Sequence, residues 1–365
     1  MNIAFIYYTN NSDAIGIDNK MLSYKNAAIK LKHNAILLKI YSSTLSNELK
    51  NIFKICKTNY DFYLIRYNNS RNIFFFFLIL WLKIKKKKII LDVPTPIINY
   101  LKELDLNPNI SLQIRLIKAI TYILGPLPFL LSDLVVQYAE ESTFFNPKYV
   151  NTILIGNGID ANEIITLVNS KNEGNQIIKY NLDNVNFLNI VSIGSIAPWH
   201  GWDKLINMLT KINETRQIPL RYYIIGDGLE LENLKKLVYS NKLEKSVFFL
   251  GKMNREDYVP FISSCDLGIG SLGWERVGVK TASPLKSREY ICCGIPVVFT
   301  AFDQDISNTN YGFQVDFNMS SIFNFFSTYK KSNVKCDKNA FNAFSLQVLD
   351  MKNKLFMILN HVKSY

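Results

Sequence analysis

The stretch Ser283–Val298 reads SPLKSREYICCGIPVV and passes abruptly from charged residues into glycine, proline and two valines. Its first part has the composition of a short helix, while Gly294 and Pro296 are typical of a helix end that precedes a buried strand. The charges allow two interpretations. Lys286 and Glu289 could be solvated helix residues, or the helix start could face an anionic ligand, with Lys286 on a phosphate and Glu289 on a sugar hydroxyl.

The same alternation of helical segments and apolar strands continues through the chain. It predicts an α/β fold with parallel sheets, one in each half of the sequence. Helices are expected between the strands, notably at Asp18–Lys32 and Ser111–Ile123. The predicted strands are Ile3–Tyr8, Ala35–Ile40, Phe62–Arg66, Ile89–Asp92, Leu134–Gln137, Thr152–Ile155, Leu188–Ile193, Tyr222–Ile225, Val247–Leu250, Leu267–Ile269 and Pro296–Phe299.

A polar, glycine-containing segment separates the two halves of the sequence. With 365 residues, the chain is too long for one ordinary hydrophobic core and suits two domains. We predict an N-terminal domain over residues 1–165, a linker over 166–186 and a C-terminal domain over 187–340. Residues 341–365 are predicted to form a C-terminal helix that could pack back on the N-terminal domain.

The composition is that of a globular protein, with 48% hydrophobic and 20% charged residues. A formal net charge of +12 favours an anionic partner, and charge alone leaves nucleic acid, a phospholipid surface and a phosphorylated substrate open. Five cysteines without a CxxC pair indicate neither a disulfide framework nor a zinc site and fit a reducing compartment. The first residues, MNIAFIYYTN, resemble a strand rather than a signal peptide, so we expect a cytoplasmic protein.

The most apolar stretch is Ile73–Leu82, IFFFFLILWL, which is followed by KIKKKK at Lys83–Lys88. These ten residues are about half of the roughly 20 that a helix needs to span a bilayer, so no transmembrane segment is predicted here. Two interpretations remain open. The run could be a buried helix with a solvated basic end, or it could rest on the anionic inner face of the plasma membrane.

Several predicted strands of the second half end in a glycine turn. The motifs are VSIGS with Gly194, IIGDG with Gly226 and Gly228, and VFFLG with Gly251. A single turn of this kind is often only a tight connection, but in open α/β sheets ligands bind outside the carboxyl ends of the strands, where such turns meet. GxGxxG and GxxxxGK[ST] motifs are absent, which argues against a nicotinamide, flavin or P-loop protein. Nothing in the pattern indicates a DNA-reading helix, so nucleic acid is not an expected partner.

Together with NGID at Asn157–Asp160, these motifs resemble the retaining GT-B glycosyltransferases of glycosyltransferase family 4. The WHGW and SPLK forms are similar to the bacterial branch that builds capsule, O-antigen and exopolysaccharide units. The resemblance implies a GT-B fold, with two Rossmann-like domains whose parallel sheets face each other across a cleft. It also implies a nucleotide-sugar donor held by the C-terminal half and a lipid-linked or glycan acceptor held by the N-terminal half, without a metal or other cofactor.

The resemblance also implies roles for single residues. Glu289 matches the glutamate that binds the donor ribose, Gly194 matches the phosphate-facing glycine, and Gly16 lies on the loop that faces the donor sugar. Lys252–Asn254 falls where the family holds the nucleobase. The other donor-side candidates are Ser195, Gly226, Gly228, Met253, Ser283, Leu285 and Arg288, and the acceptor-side candidates are Arg66, Asp92 and Thr95. For Asp92 and Thr95 a purely structural turn remains open.

The sequence departs from the family pattern at three positions. The arginine and lysine of GRxxxxKG, which neutralise the diphosphate, are here Ser195 and His200, and the first of two paired glutamates is Thr281. The lost charge would have to come from Lys286, expected to be a cation at any working pH, and from His200. For His200, phosphate contact and packing against the neighbouring tryptophans both remain open. We therefore take Lys286, Glu289 and His200 as the candidate catalytic residues.

The function expected from the resemblance is metal-independent transfer of a sugar with retention of its anomeric configuration. Asp303 and Asp305 have the spacing of a metal-binding DxD pair, but they follow a predicted strand in a loop, and we interpret them as structural. Two alternatives remain open. The chain could be a GT-B epimerase that acts on a nucleotide sugar without an acceptor, or, given the missing arginine and glutamate, a nucleotide-sugar-binding protein without activity.

Overall fold

The chain folds into two units, each built around its own parallel sheet. The structure, a computed structural model, describes residues 1–9, 15–41, 45–68, 72–106, 112–139, 150–170, 180, 182, 186–330 and 337–363. Unit 1 contains Met1–Asp160 and Met351–Tyr365, and unit 2 contains Ala161–Asp350. The chain therefore passes from one unit to the other twice.

Unit 1 contains a six-stranded sheet in the order β2-β1-β3-β4-β5-β6, in which all neighbouring strands are parallel. Its central strands are buried on both faces, which explains why they appear in the sequence as continuous apolar runs. All six were predicted to within two residues at either end. They are β1 (Asn2–Thr9), β2 (Asn34–Tyr41), β3 (Phe62–Arg66), β4 (Lys88–Val93), β5 (Leu134–Gln137) and β6 (Thr152–Leu154).

Helices cover both faces of this sheet. They are α1 (Ile15–Lys30), α2 (Leu45–Cys56), α3 (Asn72–Ile84), α4 (Ile97–Asp105), α5 (Leu112–Leu124), α6 (Leu127–Leu130) and, at the end of the chain, α14 (Met351–Lys363). Alternate residues of β1 enter opposite cores, because successive side chains of a strand point to opposite faces. Ala4 and Ile6 pack with α2, α3, α4 and α6, whereas Ile3 and Phe5 pack with α1 and α14.

Unit 2 contains a second six-stranded parallel sheet, in the order β12-β11-β10-β7-β8-β9. Five strands were predicted and β12 was missed, because it has three residues and begins with a glycine. The strands are β7 (Leu188–Ile193), β8 (Leu220–Ile225), β9 (Val247–Gly251), β10 (Leu267–Ile269), β11 (Val297–Phe299) and β12 (Gly312–Gln314). The helices are α7 (Ala161–Asn169), α8 (Trp202–Thr215), α9 (Leu231–Ser240), α10 (Arg255–Ser263), α11 (Leu285–Cys292), α12 (Met319–Thr328) and α13 (Lys338–Phe344).

The two crossings between the units lie at 160–161 and 350–351, rather than within the predicted linker at 166–186. Helix α7 precedes most of that segment and packs against α10 and α11, so it belongs to unit 2. Residues 171–179, 181 and 183–185 of the predicted linker lie outside the described part of the chain. In the predicted C-terminal segment, residues 341–350 group with unit 2 and only α14 groups with unit 1.

The apolar run Ile73–Leu82 lies in helix α3. Phe75, Leu78, Ile79 and Leu82 are buried in the core of unit 1, so one face of the helix has an ordinary structural role. Among the described helices none is both long and apolar enough to cross a membrane.

Helix α14 should stabilise unit 1 although it lies at the other end of the sequence. Leu355 is fully buried beside Ile3 and Phe5, so Leu355→Ala is expected to lower the free energy of unfolding by about 2 to 5 kcal/mol. Native-state hydrogen exchange at the β1 amides measures this change. Phe356→Ala, at the neighbouring exposed position, is the control and should change it by less than about 0.5 kcal/mol. Equal effects of the two variants would contradict the packing of α14 on unit 1.

Candidate functional site

Backbone hydrogen bonds join the glycine turns at the carboxyl edge of the sheet in unit 2. The amide of Gly194 donates to the carbonyl of Ile225 at 3.0 Å, and the amide of Gly226 donates to the carbonyl of Gly251 at 2.8 Å. The turns after β7, β8 and β9 therefore lie side by side, as the sequence predicted.

Two of these glycines allow a very close approach between neighbouring turns. Gly226 has a φ of 138° and Gly228 a φ of 157°, a region that other residues rarely adopt. A Cβ at Gly226 would overlap the carbonyl oxygen of Gly194, and one at Gly228 would overlap that of Ile196. Glycine is therefore needed at both positions for the turns to meet.

The amine of Lys286 lies beside the first of these turns. Lys286 is in the first turn of α11, and a Cβ placed on Gly194 would be 4.0 Å from its Nζ. Its Nζ lies 3.0 Å from Nδ1 of His200 and 4.9 Å from the ring centre of Trp202. Burial lowers the pKa of Lys286 to about 7, because the charged form loses hydration. The expectation of a cation at any pH is therefore wrong, since near neutrality the amine is only partly protonated.

His200 is a packed, neutral residue. Its ring stacks on Trp202 at 5.1 Å, and its Nδ1 lies 2.7 Å from Oγ of Ser271. Burial, and then the charge of Lys286, hold the pKa of His200 well below its usual range. A charged Lys286 can only donate, so Nδ1 of His200 then accepts. The geometry favours the packing interpretation, with the imidazole positioning Lys286 rather than supplying charge.

Glu289 lies one turn after Lys286 on α11, and two side chains of α10 bind its carboxylate. The hydroxyl of Tyr258 donates to Oε1 of Glu289 at 2.9 Å, and Nη2 of Arg255 donates to the same oxygen at 3.3 Å. Arg255 also donates through Nη1 to Glu163 of α7 at 3.0 Å. Sequence reasoning missed Arg255 and Tyr258, although their spacing of three on a helix that follows a glycine turn places them on one face.

Arg288 has a different environment from the one predicted. Its guanidinium is fully buried and binds both oxygens of Asp303, and its Nη2 donates to Asp305 at 2.9 Å. This pairing favours the structural interpretation of Asp303 and Asp305. These carboxylates lie in the loop after β11 and bind Arg288 of α11, which favours a structural role for it, and its donor contact stays a prediction.

The remaining donor-side candidates lie at the same edge of unit 2, except one. Ser195 is exposed after Gly194, Nζ of Lys252 lies 3.8 Å from Oδ2 of Asp227, and Met253 is half-buried in the next turn. Ser283 is buried just before α11, and Leu285 is the first residue of that helix. The exception is Gly16, which is exposed at the start of α1 in unit 1.

Two of the three acceptor-side candidates, Arg66 and Asp92, belong to a buried cluster of charges in unit 1. Asp92 is fully buried, and its carboxylate accepts from Nη1 of Arg66 at 2.6 Å, from Nζ of Lys20 at 3.3 Å and from the hydroxyl of Tyr138. Burial acts to raise the pKa of Asp92, but the charges of Lys20 and Arg66 hold it below its usual value. This favours a structural role for Asp92. Arg66 and Thr95 are partly exposed and remain acceptor-side predictions.

The described residues contain no group of three or more His, Cys, Asp or Glu side chains placed to hold a metal ion. Four cysteines are free thiols, at Cys56, Cys265, Cys292 and Cys293, and Cys336 lies outside the described residues.

Residues 168–309, within unit 2, match the family described as glycosyl transferases group 1. An uncharacterized glycosyltransferase of Methanocaldococcus jannaschii is 24% identical over 184 residues, which cover 49% of this chain and 44% of that protein. An O-antigen biosynthesis glycosyltransferase of Escherichia coli is 26% identical over 167 residues, 46% of this chain and 44% of that protein. The match therefore spans less than half the length of each relative.

Solved structures resemble the chain over almost its whole length. Anabaena HepE in complex with UDP-glucose has a TM-score of 0.65 and 14% identity, and the match covers 99% of this chain and 100% of that one. An α,α-trehalose-phosphate synthase from Burkholderia xenovorans in complex with glucose-6-phosphate has a TM-score of 0.67 and 8% identity, with both chains fully covered. At such identities the likeness concerns the fold, which is the α/β fold of GT-B glycosyltransferases.

Proposed function

We propose that the chain is a retaining glycosyltransferase of family 4 that moves a hexose from a nucleotide-sugar donor to a lipid-linked or glycan acceptor. The observation that carries the proposal is the arrangement in unit 2, where Lys286 lies beside the Gly194 turn and Glu289 follows one helical turn later. A cation beside a glycine turn at the carboxyl edge of a parallel sheet suits a diphosphate, and a carboxylate at this spacing suits the ribose attached to it.

Glu289 is the proposed ribose ligand. Tyr258 and Arg255 both bind its Oε1, which fixes the plane of the carboxylate. An oriented carboxylate accepts strong hydrogen bonds from sugar hydroxyls. Arg255 and Tyr258 are then positioning residues, which act on the donor through Glu289.

Lys286 is the proposed diphosphate ligand. It would supply the positive charge that the arginine of the GRxxxxKG pattern supplies elsewhere in the family. The bond from the anomeric carbon to the diphosphate oxygen breaks during transfer, and the leaving group gains negative charge. A cation that is already in place stabilises that charge in the transition state more than in the ground state. Because the anion favours the ammonium form, diphosphate binding should raise the pKa of Lys286 from about 7.

Retention follows if the acceptor hydroxyl attacks the anomeric carbon from the face that the diphosphate leaves. The new bond forms between that carbon and the acceptor oxygen, while the hydroxyl proton passes to the departing phosphate oxygen. This route needs neither a protein base nor a metal ion, and the proposed residues bind and orient the donor and stabilise the leaving group.

The named relatives support the choice of substrates. The Escherichia coli relative is described as an O-antigen biosynthesis enzyme, and the Anabaena structure contains UDP-glucose. We accordingly propose a role in surface polysaccharide synthesis, with the protein in the cytoplasm and peripheral on the inner face of the plasma membrane.

Glu289→Gln tests the ribose contact, since it keeps the shape of the side chain and removes its charge. After thermal-shift measurements against UDP-, GDP-, ADP- and TDP-sugars identify the donor, transfer is measured with a lipid-linked acceptor. A hydrogen bond to a charged group contributes about 1.5 to 3 kcal/mol, so kcat/KM should fall by about 10- to 150-fold. Tyr258→Phe should cause a smaller loss.

Glu163→Gln is the matched control, because Glu163 binds the same arginine as Glu289 through its other nitrogen. Its activity should stay near that of the wild type. Wild-type activity of Glu289→Gln would overturn the ribose assignment. Binding of a nucleotide sugar without turnover would favour a binding protein, and interconversion of sugars without an acceptor would favour an epimerase.

Lys286 should make diphosphate binding dependent on pH. Because its pKa is about 7 and the bound anion requires the ammonium form, affinity should be highest below pH 7. Above that value it should fall by up to tenfold per pH unit, since binding then takes up a proton. Calorimetry with UDP between pH 6.5 and 9 measures this slope.

Lys286→Met should bind UDP more weakly and without that slope. His200→Gln should retain the slope, because the imidazole is neutral over this range. The same pH dependence in wild type and Lys286→Met would show that another group is responsible.

A further inference from the structure

Helix α5 of unit 1 exposes an apolar stripe. Its exposed residues include Leu112, Arg115, Leu116, Tyr122 and Ile123, which recur at helical spacing along one side. Leu112 is 83% exposed, Leu116 60% and Ile123 68%. A surface helix normally turns its apolar stripe towards the core, so this outward stripe needs another explanation.

Helix α3 has a second exposed stripe beside the first. Phe77, Trp81 and Ile84 are 60%, 42% and 66% exposed and follow one another at spacings of four and three. The other face of α3 fills the core of unit 1, so these side chains are additional to those that the fold requires. Helices α3 and α5 pack against each other, which makes the two stripes neighbours on one surface.

The stretches that carry the two stripes contain basic but no acidic residues. Residues 72–88 contain five lysines, residues 112–130 contain Arg115 and Lys118, and neither stretch has an acidic residue. Lys83 and Lys88 both pair with Asp133, and Lys118 pairs with Asp105.

Lys85 and Lys86 provide the basic charge nearest to the α3 stripe. Both are exposed in the turn that follows the helix, and Nζ of Lys85 lies 5.3 Å from the ring centre of Trp81. An indole and an ammonium group side by side suit the boundary between lipid headgroups and acyl chains.

We propose that the outward stripes of α3 and α5, with Lys85 and Lys86, form a docking surface for an anionic lipid bilayer. Lipid fits better than a protein partner because the apolar residues are large and the lysines beside them, Lys85 and Lys86, are exposed cations that anionic headgroups attract. The helices would lie in the interface rather than span it. The docking surface would hold the protein at the membrane that presents a lipid-linked acceptor. In this respect the proposal deepens the proposed function and rests on it.

Sedimentation with vesicles tests the proposal, using phosphatidylcholine alone and phosphatidylcholine with about one third phosphatidylglycerol. The full chain should bind the anionic vesicles and be released by salt. Lys85→Gln with Lys86→Gln should weaken binding by about fivefold for each lysine. Leu116→Gln with Ile123→Gln should weaken it at least tenfold on both vesicle types, because it removes apolar area that enters the interface.

Two matched pairs of control substitutions distinguish binding through this surface from non-specific binding to vesicles. Phe356→Gln with Met357→Gln changes exposed apolar residues of α14, on the opposite face of the same sheet. Lys235→Gln with Lys236→Gln changes exposed lysines of α9 in unit 2. Both pairs should bind vesicles like the wild type, and thermal unfolding should show that all four variants are folded.

Vesicle binding that none of the changes at α3 and α5 weakens would overturn the proposal. It would also be overturned if Leu116→Gln with Ile123→Gln dissociated a dimer without affecting vesicle binding, since the surface would then join two copies of the chain. Transfer to a soluble acceptor should be unchanged in all four variants. Vesicle binding that responds as expected, without turnover of any nucleotide sugar, would retain the docking surface and exclude the proposed function.

Discussion

The close approach of three backbone turns at one edge of the second sheet is the constraint on which the candidate site depends. Gly226 can lie against Gly194 only because neither has a side chain at the point of contact. This contact sets the distance between β7 and β8 at their carboxyl ends, and with it the position of the turn beside which Lys286 lies. The fold thus requires glycine at the edge where the proposed diphosphate would lie.

The buried basic residues of unit 2 differ in what surrounds them. Arg255 and Arg288 each bind two carboxylates, which offset the cost of burying a guanidinium. Lys286 instead contacts a neutral imidazole and an indole ring, and burial alone lowers its pKa. An anionic ligand would therefore stabilise the ammonium form of Lys286 strongly. The two arginines already bind carboxylates of the protein and would gain less from such a ligand.

The features that could be predicted are those that depend on residues close together in the sequence. The strands were found because burial on both faces gives uninterrupted apolar runs, and Gly194, Gly226 and Gly251 were recognised because each follows such a run. Contacts between distant residues could not be predicted. Arg255 meets Glu289 across 34 positions, Arg288 is held by carboxylates of a later loop, and the low pKa of Lys286 arises from the elements that enclose it. Strand β12 left no signal, because three residues with a glycine do not form an apolar run.

The division of unit 1 between the two ends of the chain affects the order in which the units can form during synthesis. Unit 2 is one continuous segment, Ala161–Asp350, whereas the core of unit 1 includes Met351, Leu355, Ile358 and Leu359. A ribosome completes the whole of unit 2 before it adds the helix that covers the second face of the first sheet. Until then Ile3, Phe5 and their neighbours lack part of their apolar cover. Unit 1, although it is made first, is therefore the last to be finished.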